Sequence, residues 1–323
     1  MIVRVGLTSP FPRPEPLVQA TRDLDRGRTS ADAVEAVYAR TEEEVAELET
    51  RLGLDVRTAG YLRWPDLFRP IAERWSGFAV GPLTRWLETN TFYRQPILLA
   101  PPARVAGAVA AQLPGPIRRR PAGSRILLPG PYTFARLLDN RSGEADAAVV
   151  HRLGRLLADE VRELVGLGFD QFQFSDPLLA VEPAEGPHAE ATVAAYAALG
   201  AAADPGTAIA WTHGADGRRA LPVLRRIRPV IAGFDLSETD PGELPDGDVG
   251  PAVAFGVLDP RTTLAEEPRD VAGVVRTAAA RLGASTVWLG PGAPLDLLPW
   301  EPAVRKVELL GRIRGALANG GGA

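Results

Sequence analysis

Two patterns of apolar and polar positions alternate along the chain. Short apolar runs recur at IVRVGL (2–7), LDVRT (54–58), RILLP (125–129), FDQFQF (169–174), TAIAW (207–211), VIAGF (230–234), AVAFGV (252–257) and STVWL (285–289). Runs of this length, apolar rather than strictly alternating, predict strands covered on both faces. Between them lie stretches with apolar residues at every third or fourth position. Val34, Val37, Tyr38, Thr41, Val45, Leu48 and Leu52 form one such face, with capping-box-like spacing at Thr29 and Asp32 and a stop at Gly53. Similar spacing predicts helices over 146–167, 189–202, 268–282 and 302–316.

Eight strand-then-helix units in 323 residues predict a (β/α)8 TIM barrel. A doubly wound open sheet would favour a glycine-rich phosphate turn after the first strand. SPFPRP stands there instead, and its prolines have no N–H to offer. Residues 75–123, which carry TRWLETNTFYRQP (84–96) and GPIRRRPAG, are too long for a simple connection. They are expected to form a loop-and-hairpin excursion over the barrel mouth, between the second and third strands, with a strand at 97–99. Residues 1–318 are thus expected to make a single domain, with 319–323 a disordered tail.

Composition removes several classes of chemistry. There is no cysteine, so disulfides, thiolate metal sites and a cysteine nucleophile are excluded. Lys306 is the only lysine and lies in the predicted terminal helix, which disfavours Schiff-base chemistry. A net charge of −4 gives no reason to expect nucleic acid or an anionic membrane as partner. Without a signal-peptide core or an apolar run of about 18 residues, a cytoplasmic location is expected.

In a TIM barrel the chemistry collects at the C-terminal ends of the strands. Those positions hold Arg13, Arg63, Asp66, Tyr132, Thr133, Ser175, Asp176, His213, Asp235, Glu238, Asp259 and Arg261. Arginines mixed with acids suit a small ligand bearing carboxylates. His213, in WTHGADG, ends the predicted fifth strand, and a ring titrating near neutrality there could serve as a base or hydrogen-bond donor.

Blocks in this order resemble the cobalamin-independent methionine synthase family: FPRPEPL, GLDVRTAGYLRWPDLF, RWLETNTFY, LLPGPYTFARLL, QFSDPLL, WTHGA and FGVLDPR. The resemblance implies methyl transfer in methionine biosynthesis and one-carbon metabolism, with a methyl-folate donor and homocysteine or a related acceptor. The family's zinc-bearing barrel holds its metal through a histidine, a cysteine two residues later, a glutamate at the next strand end and a second cysteine after the last strand, so as to present homocysteine as a thiolate. These fall here at His213, Ala215, Asp235 and, approximately, Ala293. Lacking both thiolates, the site is not expected to hold zinc. His213, Asp235 and Glu238 remain only as weak candidates.

The clamp for the amino acid differs as well, with Ser9-Pro10, Tyr61 and Ser175 where the family has glycine–serine and acids, while Asp176 keeps one acid. RWLETNTFY and GYLRWPD are closer to the zinc-free N-terminal half of the two-barrel members. There Arg13 and Arg85 would hold carboxylates of a folate's glutamate tail. His213, Asp176 and Asp235 are the expected catalytic residues. Arg13, Arg63, Asp66, Arg85, Tyr132, Ser175 and Asp259 are the expected substrate contacts. Two readings stay open: a zinc-free methyltransferase, or an accessory folate-binding barrel that works with a separate zinc-bearing barrel subunit.

Overall fold

Among the described residues ten strands form, seven of them in one curled parallel sheet. They are β1 (Ile2–Val5), β2 (Ser76–Arg85), β3 (Phe92–Ala103), β4 (Arg125–Pro129), β5 (Asp139–Asn140), β6 (Gln171–Ser175), β7 (Ala208–Trp211), β8 (Ile231–Asp235), β9 (Ala252–Leu258) and β10 (Thr286–Pro291). The parallel sheet runs β1-β10-β9-β8-β7-β6-β4. The computed structural model describes residues 1–319 other than Glu88, Pro205, Pro229 and Asp248. The expected tail therefore lies outside the described residues except for Asn319, which ends the helix Trp300–Asn319. Among the described residues no helix is long and apolar enough to cross a membrane.

The expected second strand, 54–58, is the one correction to the barrel. It makes a single bridge, Arg57 to Ser124, rather than a ladder. The segment still spans the gap between β1 and β4. The Asp55 N–H donates to Val5 O at 2.8 Å, the Arg57 N–H to Gly123 O at 2.9 Å, and the Arg125 N–H to Arg57 O at 2.7 Å. Regular pairing fails because the Asp55 side chain itself accepts the Val5 N–H, at 2.7 Å, and because the chain turns left-handed directly afterwards at Ala59, Gly60 and Tyr61.

Strand alternation sets what fills the barrel. Val56, Ile209, Trp211, Ile231, Ala254 and Trp288 form a buried cluster of their own. Large and small side chains complement one another there, as barrel interiors require. A Cβ on Gly233 would lie 2.7 Å from the Trp211 indole, and one on Gly256 would lie 3.2 Å from it. Those two glycines are what let a tryptophan sit beneath the barrel mouth.

The excursion between the second segment and β4 is a hairpin, as expected, but its second strand is much longer than 97–99. β2 and β3 pair antiparallel, and β3 also pairs with β5. Phe134 anchors the hairpin by stacking with Phe78 at 5.7 Å and with Phe68 at 5.1 Å. Helix Ala31–Arg51 buries the predicted face, including Val34, Val45 and Leu48, but its cap is Ser30, whose hydroxyl accepts the Ala33 N–H at 3.2 Å.

Candidate active site

A cavity of about 100 Å³ opens at the C-terminal ends of the barrel strands. Its floor is Leu127, Gln173, Ser175 and Trp211. Thr8 to Pro10, the loop 64–67, the hairpin residues Trp86 and Thr91 to Tyr93, and Ala293, Pro294 and Asp296 form its walls. His213 faces into it from beyond β7. The lining is mostly apolar, with the rings of Trp64, Trp86, Phe92 and Tyr93 in the wall and a few hydroxyl, amide and carboxylate groups, a composition suited to an amino-acid-sized or flat heterocyclic ligand.

Burial decides the chemistry of His213, which is 4% exposed. Burial first, and the nearby Arg261 charge second, push its imidazolium down to a pKa of about 4. At neutral pH the ring is uncharged. A thiol of ordinary pKa would then give up its proton to this ring only at a cost of about 6 kcal/mol. His213 is thus suited to hydrogen bonding, and a general-base role is energetically poor.

Two other expected residues line the cavity, and a third lies behind its wall. Ser175 ends β6 at the floor. Asp66 lines the wall, but its carboxylate is engaged with backbone: Oδ1 accepts the N–H groups of Phe68 and Arg69 at 3.0 and 2.8 Å, and Oδ2 accepts the Arg94 N–H at 3.2 Å. Arg13 sits behind the wall and donates to Leu62 O and Trp64 O at 2.8 and 3.4 Å. It fixes the loop that carries Trp64.

The remaining expected residues are placed elsewhere. Arg63 is held by Glu42 at 2.6 Å and Glu35 at 2.5 Å, against the face of Tyr38. Arg85 stacks on Phe92 from the exposed side of the hairpin, 5.9 Å from the ring centre. Asp176 is fully buried and caps the helix Pro131–Leu137, accepting the Thr133 N–H at 2.6 Å and the Tyr196 hydroxyl at 2.9 Å. Burial raises Asp176 to about 6 despite those donors. Tyr132 donates its hydroxyl to Glu182 O at 2.9 Å. None of these four lines the cavity.

Gln173 went unnoticed in the sequence. Its Nε2 donates to Thr8 O, and its Oε1 is buried without a partner at the cavity floor. The signal was there: Gln171, Gln173 and Ser175 alternate along one face of β6, a polar stripe pointing inward.

The residues do not fit a zinc centre. Ala293 lines the cavity and Ala215 packs against the core, and neither has a donor atom. Asp235 Oδ2 accepts from both terminal nitrogens of Arg261, at 3.2 and 2.9 Å, and Oδ1 accepts the Ser237 N–H at 3.0 Å. Burial raises the Asp235 carboxyl to about 6, with the Arg261 charge opposing it. Glu238 and Asp259 flank the same guanidinium at 2.7 and 3.1 Å. Among the described residues no group of three or more His, Asp or Glu is arranged to share a metal ion.

Comparison with known proteins bears out the resemblance read from the sequence. A methionine synthase of Sulfurisphaera tokodaii is 23% identical over 314 residues, covering 94% of this chain and 89% of its own. A solved B12-independent methionine synthase from Shewanella sp. W3-18-1, in complex with selenomethionine, superposes with a TM-score of 0.69 at 15% identity, over 90% of this chain and 89% of that one. Over about nine-tenths of its length the chain is similar to methionine synthases in sequence and to a B12-independent one in fold. A longer relative, the 5-methyltetrahydropteroyltriglutamate–homocysteine methyltransferase of Nitratidesulfovibrio vulgaris, is 27% identical over 256 residues, which is 71% of this chain but 32% of that enzyme. No family model matches the chain.

Proposed function

We propose that this methionine-synthase-like chain is a methyltransferase that methylates the sulfur of homocysteine or a closely related amino thiol, with a methyl-tetrahydropteroylglutamate as donor. The observation that carries the reading is the cavity itself. It lies at the strand ends of a fold that matches, over nine-tenths of the chain, a methionine synthase holding selenomethionine. Transfer forms the S–CH3 bond as the N–CH3 bond of the donor breaks, with the electron pair and a proton passing to the donor nitrogen.

The residues present support particular roles. Trp64, Trp86 and Phe92 offer flat apolar faces for a heterocycle, and the Gln173 Oε1 offers an acceptor for an N–H. Neutral His213 can hydrogen-bond the sulfur but leaves the thiol proton to solvent. Loss of the soft ligands favours a second reading, in which a separate zinc-bearing barrel activates the acceptor and this chain binds the folate. Purified protein given L-homocysteine and methyl-tetrahydropteroyltriglutamate should form methionine, detected by mass spectrometry. Turnover only on addition of a zinc-bearing barrel would select the second reading. If calorimetry shows that neither compound binds, both readings fail.

A further inference from the structure

We propose that the Arg261 guanidinium is the resident cation of this strand-end site and that it keeps a divalent metal from engaging Asp235 and His213. The inference stands on geometry and does not depend on the methyl-transfer reading.

Sheet register places the two residues at the same end of neighbouring strands. Trp211 pairs with Gly233; His213 follows β7 by two residues and Asp235 ends β8. Asp235 is fully buried, and three N–H donors meet its carboxylate. The Ser237 N–H occupies Oδ1, both terminal nitrogens of Arg261 occupy Oδ2, and the backbone at Gly292 is so close that a Cβ there would collide with Oδ1. Glu238 and Asp259 close on the other edges of the guanidinium. Three acids therefore surround one guanidinium cation.

A metal ion would have to displace that cation, and would meet it as a neighbouring like charge. The guanidinium has a further advantage because it is covalently tethered, so its binding costs no translational freedom. Removing the cysteines alone would leave a weak hard-ligand site. Arg261 goes further by using up the carboxylate on which such a site would depend.

The test is zinc binding by the full-length protein, read by elemental analysis after dialysis and by competition with a chromophoric chelator. Wild type is expected to retain less than about a tenth of an equivalent after dialysis. R261Q, which keeps amide donors but loses the charge, is expected to bind zinc at least about tenfold more tightly than wild type. R261K should behave as wild type, and H213A/R261Q should lose the gain. If R261Q does not fold, D259N/R261Q relieves the surplus of acids and serves in its place. Stoichiometric zinc in wild type that H213A abolishes would overturn the proposal. So would R261Q, or its substitute, binding zinc no more tightly than wild type.

Discussion

Glu49 should hold the cavity's strained foundation in place, and replacing it with alanine isolates that role. The residue is 1% exposed on the inner face of helix Ala31–Arg51. Its carboxylate accepts the Thr58 N–H at 2.9 Å, the Thr58 hydroxyl at 2.6 Å and the Ala59 N–H at 3.1 Å. Directly after these donors the backbone is left-handed at Ala59 (φ 51°), Gly60 (φ 76°) and Tyr61 (φ 51°). The two non-glycine residues store about 1 kcal/mol each, and the loop 64–67 of the cavity wall follows. E49A orphans three buried donors, each worth about 1–3 kcal/mol less whatever water enters the space. A loss of about 4 kcal/mol at pH 5 is expected. For a chain of this size that lowers Tm by about 6 °C.

The pH dependence sharpens the test. Burial outweighs the hydrogen bonds and raises Glu49 to about 7, above its value in the unfolded chain. Its stabilisation is complete below the unfolded pKa and is lost as pH rises through about 7, a change of about 3 kcal/mol. The deficit of E49A should therefore shrink from about 4 kcal/mol at pH 5 to about 1 kcal/mol at pH 8. Urea unfolding followed by circular dichroism at the two pH values measures it. A deficit under about 1 kcal/mol at pH 5, or one that does not change with pH, would refute the reasoning.

Other expectations follow from the same geometry. R63M should lose about 3 kcal/mol by leaving buried Glu42 without its cation, yet bind L-homocysteine as wild type does; a weakened affinity would place Arg63 at the site after all. G292A should cost about 1–3 kcal/mol in thermal melts through collision with Asp235, and an unchanged Tm would show that the turn after β10 can give way. His213 should stay neutral in an NMR titration down to about pH 4. Because its folded pKa lies below the unfolded one, its stabilising contribution is present above about 6.5 and is lost as pH falls through 4. A titration midpoint near 6.5 would show that the ring is solvated.

Much of the fold was legible because it depends on local periodicity. Apolar runs located all seven strands of the parallel sheet, and the spacing from Val34 to Leu52 located the long first-half helix. The unusual length of 75–123 gave away the hairpin. What failed was the segment 54–58, whose apolar pattern suits a strand although a side chain and a left-handed turn take its backbone elsewhere.

The candidate site was legible only in part. Strand-end position pointed to Ser175 and His213, because topology puts those ends at one mouth, and both line the cavity. It could not separate Asp66, whose acceptors are used by backbone, or Asp176, which caps a helix, from residues free to meet a ligand. Sequence alone determined which atoms exist: no thiolate near His213, one lysine, and a polar stripe along β6. Tertiary structure alone decided which charges were already spent, with Arg63 on Glu35 and Glu42 and Arg261 on Asp235, Glu238 and Asp259. Ion pairs of this kind join residues far apart in the chain, and burial that moves a histidine from 6.5 to about 4 depends on every element packed around it. Neither leaves a trace in local spacing.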